Sequence, residues 1–154
     1  MHVYTSHGYE LWSEWELPAG TQQGIAQGQC TRLRLKRGTV HWKDALELDR
    51  EGAEFSLESH QLYWPILGGT RIDRDGCVSI EVAPRAPDGI VPHAILGPIL
   101  AHWILMQDLL ALHANCVDID GSLIAIVGTS GAGKSSLSAA LVALGATPHG
   151  DDIV

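Results

Sequence analysis

The residues Gly128-Thr129-Ser130-Gly131-Ala132-Gly133-Lys134-Ser135 match the pattern G-x-x-x-x-G-K-[ST] in full. Glycines at three of these positions let the backbone curl with several N–H groups facing one point. A helix that follows adds its own unpaired N–H groups and its positive dipole end. Such a loop needs a strand before it and a helix after it, and both are legible. Leu123-Ile124-Ala125-Ile126-Val127 is a short apolar run that reads as a buried parallel strand. Ser136 to Leu144 is rich in Ala and Leu, with Gly145 placed as a helix stop. The order strand, loop, helix predicts an α/β fold and a nucleoside triphosphate held along Gly128 to Ser136. Lys134 then reaches the β and γ phosphates, and the Ser135 hydroxyl sits on Mg²⁺.

The segments on either side narrow this reading. Leu112-His113-Ala114-Asn115-Cys116-Val117-Asp118-Ile119 reads as a strand, Asp120-Gly121 as a hairpin turn, and His149-Gly150-Asp151-Asp152 as the start of a further strand. In that order, Leu109 to Val154 resembles the HPr serine kinase/phosphorylase family. That family has a histidine in an L-H-A/G strand, a short turn, the phosphate loop, a helix and a paired aspartate. More loosely, Tyr9-Glu10-Leu11, Ser13-Glu14 and Leu17-Pro18 resemble the N-terminal segment of HPr-kinase-like proteins of bacterial peptide-modification clusters. The resemblance implies ATP and Mg²⁺ as the bound species. It also implies transfer of the γ-phosphoryl group to a serine hydroxyl of an HPr-like phosphocarrier or a precursor peptide.

By position, the resemblance assigns the acceptor's proton to Asp151 or Asp152, the metal to Ser135 and Asp152, and a catalytic place near the phosphates to His113. Two adjacent carboxylates can divide such work, because neighbouring negative charges separate their proton affinities. Which one takes the proton stays open. The residues alone also allow a polar pair at a strand edge, and a half-buried strand histidine with no chemical role. Two further functions fit the same motif: a nucleotide-binding or assembly module without turnover, and a kinase acting on a small-molecule hydroxyl.

Charge and cysteine usage bound the alternatives. A formal charge of −8 with few basic runs argues against nucleic acid as a partner. Arg32-Leu33-Arg34-Leu35-Lys36-Arg37 reads as a strand with one basic face, either simply solvated or docking an acidic peptide. Cys30, Cys77 and Cys116 are widely spaced, which indicates neither a disulfide framework nor a zinc ribbon. His2, His7, His41, His60, His93, His102 and His149 show no metal-binding spacing. The first residues lack a basic region followed by an apolar core, so a cytoplasmic location is expected. Ile90 to Leu112 is long and apolar, but Pro92, Pro98, His93, His102 and Gln107-Asp108 favour a kinked buried helix over a membrane span.

Upstream of that helix the chain reads as β-rich. Tyr9 to Trp15, Thr31 to Lys36, Ala53 to Leu57, Gln61 to Leu67 and Cys77 to Val82 are the expected strands, broken at Gly68-Gly69 and Asp75-Gly76. Trp12, Trp15, Trp42 and Trp64 are expected as core or interface anchors. Ala83 to Gly89 reads as a linker, which sets a β-rich module at 1–89 and a nucleotide-binding half-domain at 90–154. Only about one β-α-β unit accompanies the loop, so the expectation is a partial phosphate-loop fold, completed by association into a homo-oligomer.

Overall fold

The computed structural model describes residues 1–18, 32–41 and 51–150, with the backbone alone at 22–23. The chain forms two units, Met1–Met106 and Gln107–Val154.

The first unit contains eight strands: β1 His2–Ser6, β2 Tyr9–Ser13, β3 Gln22–Gln23, β4 Arg32–Arg37, β5 Gly52–Phe55, β6 Ser59–Trp64, β7 Gly68–Asp73 and β8 Cys77–Val82. They form one mixed sheet in the order β3-β1-β2-β4-β8-β7-β6-β5, with β4 parallel to both β2 and β8. Period-two alternation puts Leu11, Leu33, Leu35, Ile72, Val78 and Ile80 on one face, each at most 1% exposed. Burying a side chain of this size contributes about 1.5–3 kcal/mol, so this face is the core of the unit.

The other face carries the exposed cations Arg32, Arg34 and Lys36 of β4, as the alternation predicts. Arg32 lies over the Trp12 ring at 4.5 Å and donates to the buried Glu10 carboxylate at 2.6 Å. Trp12 Nε1 donates to the same oxygen at 2.8 Å. The Arg32 and Trp12 donors hold the Glu10 carboxyl below the usual carboxylate range.

A helical segment follows: α1 Ile90–Ala94, a π-helical turn Ile95–Ile99 and α2 Leu100–Met106. It kinks at Gly97, whose φ of −102° and ψ of −108° leave the helical region. Pro98 causes this, because proline removes an N–H donor and disfavours the helical conformation in the residue before it. Ile95, Ile99, Leu100 and Trp103 are buried, and the Trp103 ring meets Tyr9 edge-on at 6.2 Å. No helix among the described residues is long and apolar enough to cross a membrane.

Three expectations change in this unit. The boundary falls after Met106 rather than after Gly89, because the apolar helical segment packs with the sheet of its own unit. β1 was not expected; it forms a hairpin with β2 through His7 and Gly8, both at positive φ. Gly68 and Gly69 lie inside β7 rather than breaking it. A Cβ at Gly68 would come within 2.0 Å of the Glu81 carbonyl oxygen, so glycine there permits a close backbone approach. Trp15 is buried as expected and Trp12 and Trp64 are partly buried, while Trp42 and Cys30 lie outside the described residues.

The second unit contains β9 Ala114–Ile119, β10 Ser122–Val127, α3 Lys134–Ala143 and β11 Thr147–Gly150. Its sheet has the order β10-β9-β11, and both pairs are antiparallel. The β9–β10 turn is Asp120-Gly121 as predicted, with φ of 52° and 80°, and Asp118 Oδ1 accepts from the Gly121 N–H at 2.7 Å. α3 packs against β9 and ends at Gly145, where the Gly145 and Ala146 N–H groups bond to the Val142 and Leu141 carbonyls. The unit therefore has the strand, loop, helix order within a mixed α/β architecture.

β10 corrects the expected buried parallel strand. It pairs antiparallel with β9 and forms the edge of the sheet, and Leu123, Ile124 and Val127 are 58%, 42% and 62% exposed. An apolar run of this length reads as buried from sequence, but burial needs a neighbour on both sides. Among the described residues only β9 pairs with it.

Candidate functional site

The glycine-rich loop runs from the end of β10 into the first turn of α3. Gly131 and Gly133 take φ of 79° and 90°, the left-handed region that favours glycine, and together they reverse the chain into the helix. Gly133 is the residue before the helix and makes no side-chain cap, so the first N–H groups of α3 are left to whatever lies in front of them. The Ala132 N–H closes a turn onto the Thr129 carbonyl at 3.1 Å.

Lys134 folds back over this curl. Its ammonium donates to the Gly128 carbonyl at 3.1 Å and to the Thr129 carbonyl at 3.4 Å. The loop thus fixes the position of its own cation. An added Cβ at Gly128 would meet the Ala132 Cβ at 3.3 Å, so the curl is tight there too.

A cavity of about 420 Å³ opens at the loop, lined by His113, Asn115, Ser130, Gly131, Gly133, Lys134, Ser135 and Ser136. Its lining comes from the loop, from the first turn of α3 and from the start of β9. The hairpin register explains this: Ala114 pairs with Val127 and Asn115 with Ile126, so β9 begins where the loop leaves β10. Among the described residues that line it none is acidic.

Of the expected site residues, the structure brings His113, Ser130, Gly131, Gly133, Lys134, Ser135 and Ser136 to one cavity. Gly128 and Thr129 accept from the Lys134 ammonium through their carbonyls, and the Ala132 N–H closes the turn onto Thr129. Asp151 and Asp152 lie outside the described residues and follow directly on Gly150, the last residue of β11. Among the described residues no three His, Cys, Asp or Glu side chains gather as a metal cluster.

Asn115 was not expected at the site. It is buried, at 6% exposure, between Ala114 and Cys116, and sequence alone gives it the look of a core strand position. The signal available was the Asp120-Gly121 turn. Counting back from it across the hairpin sets Asn115 opposite Ile126, two residues before Gly128.

Compared with protein-family models, with curated proteins and with solved structures, the chain finds no match in any of the three.

Proposed function

We propose that this chain binds ATP with Mg²⁺ and transfers the γ-phosphoryl group to a serine hydroxyl of a protein or peptide. The observation that carries this reading is the cavity that Lys134 and Ser135 share with His113 and Asn115. Its donor set suits a magnesium-bound triphosphate: an ammonium, three serine hydroxyls, and the N–H groups of a tight curl and a helix start.

In this reading the curl and the helix start hold phosphate oxygens, Lys134 supplies a point charge and the Ser135 hydroxyl holds Mg²⁺. Bound Mg²⁺ supplies charge neutralisation on the transferring phosphates. His113, exposed and lining the cavity, is assigned to the phosphates and the approaching acceptor. The serine oxygen forms a bond to the γ-phosphorus as the bond to the β-bridging oxygen breaks, and ADP leaves. The hydroxyl proton goes to Asp151 or Asp152.

ADP formation with a serine-containing precursor peptide or an HPr-type phosphocarrier tests the proposal. Turnover should need the acceptor and disappear in Lys134→Ala, which should also weaken MgATP binding by roughly ten- to a hundredfold, as expected for losing a charged hydrogen bond. Replacing Asp151 and Asp152 with Asn should stop turnover while leaving ATP bound. Tight ATP binding without ADP formation would replace the kinase with a binding module. Turnover with a small alcohol and no peptide would replace the acceptor class.

A further inference from the structure

We infer that Asn115 is the residue that distinguishes ATP from ADP, by donating from its carboxamide to the terminal phosphate. This rests on the nucleotide reading above. The loop and Lys134 account for phosphate binding in general. Asn115 reaches the same cavity from β9, a different element, and so is available to the phosphate that projects beyond the loop.

Its chemistry suits that place. Burying an amide in a strand costs free energy that an apolar residue would not, and its neighbours Ala114 and Cys116 are of the cheaper kind. A carboxamide has two donor hydrogens and two acceptor lone pairs, enough to keep a contact within the protein and still donate to a phosphate oxygen. Being neutral, it adds no charge that would hold ADP and ATP alike. β9 is paired with β10 along its whole length, which keeps the amide in place before nucleotide arrives. Asn115 is on this account a specificity residue of the pocket.

Titration calorimetry with MgATP and MgADP on the full chain decides it. Wild type should prefer ATP. Asn115→Ala should lose roughly ten- to a hundredfold in ATP affinity and less than about threefold for ADP, the difference expected for one hydrogen bond to a charged group. Asn115→Asp keeps the shape but replaces the donor with a negative charge, and should lose more of the ATP affinity still. Retained ADP binding in both variants shows that the loop is folded. The inference falls if wild type binds both nucleotides equally, if both variants keep the wild-type ATP to ADP ratio, or if both nucleotides are lost in parallel. A wild type that binds neither nucleotide overturns the nucleotide reading itself, and this inference with it.

Discussion

Ser135 and Ser136 stand side by side in the first turn of α3 and both line the cavity, yet their hydroxyls are not equivalent. Only the residue directly after the lysine is in the position that the motif gives to the metal. Ser135→Ala should therefore weaken nucleotide binding by about tenfold with Mg²⁺ present and by less than about threefold with the metal chelated, read by calorimetry under both conditions. Equal loss with and without Mg²⁺ would place the Ser135 hydroxyl on phosphate instead. The lysine, the serine and the glycines were legible as one loop because the motif is local: the loop's backbone needs those residue types at that spacing wherever the loop occurs. His113 was legible through resemblance alone. Asn115 was not, because what makes it a wall of the cavity is the register of a hairpin, a relation between two strands that no single window of sequence displays.

The helical segment and the sheet it covers meet at a group of rings that carries a pH dependence. Phe55 of β5 stacks on His102 of α2 at 5.7 Å and meets His60 of β6 edge-on at 4.7 Å, and the two imidazoles lie 5.7 Å apart. The Nδ1 atoms of both histidines are buried without a hydrogen-bond partner among the described residues. Burial pushes both imidazoles below the ordinary histidine value of 6.5, and for His102 the nearby His60 adds to the effect. The unfolded chain then binds these protons at a higher pH than the folded one. Stability is complete above about pH 6.5 and is lost as pH falls from there through the folded-state values. Thermal unfolding between about pH 7.5 and about pH 5 should show this decline, and His102→Phe should flatten it. An unchanged slope in the variant would assign the decline to other groups. At this scale the sequence was informative wherever alternation or a proline acted within one element, as in β4, β8 and the kink at Gly97-Pro98. It misled where a neighbour decides the outcome. Gly68 and Gly69 read as a break until β8 passes against them, and β10 reads as buried although among the described residues only β9 pairs with it.

At the scale of the whole molecule, β10 presents apolar side chains on a strand that has one pairing partner among the described residues. Leu123, Ile124 and Val127 stand exposed on an edge strand, with Leu137 and Leu144 of α3 and its C-terminal cap exposed as well. An edge strand offers a row of unpaired N–H and C=O groups, and one with apolar side chains and no lysine or proline lacks the usual protection against pairing. An antiparallel pairing of β10 with β10 of a second copy would satisfy both rows about a two-fold axis, and would cover Ile124 and its neighbours on both copies. The chain should therefore be a dimer or larger at micromolar concentration when light scattering is measured during size exclusion. Leu123→Lys lies at the turn end of β10, away from the glycine-rich loop. It should raise the concentration needed for association by tenfold or more, roughly the effect of losing one large buried side chain while gaining a desolvated charge. Nucleotide affinity should not change in this variant, because Leu123 is no part of the cavity. A wild type that stays monomeric with cooperative unfolding would show that β10 tolerates water as it stands. Association that Leu123→Lys leaves untouched would move the contact away from this strand.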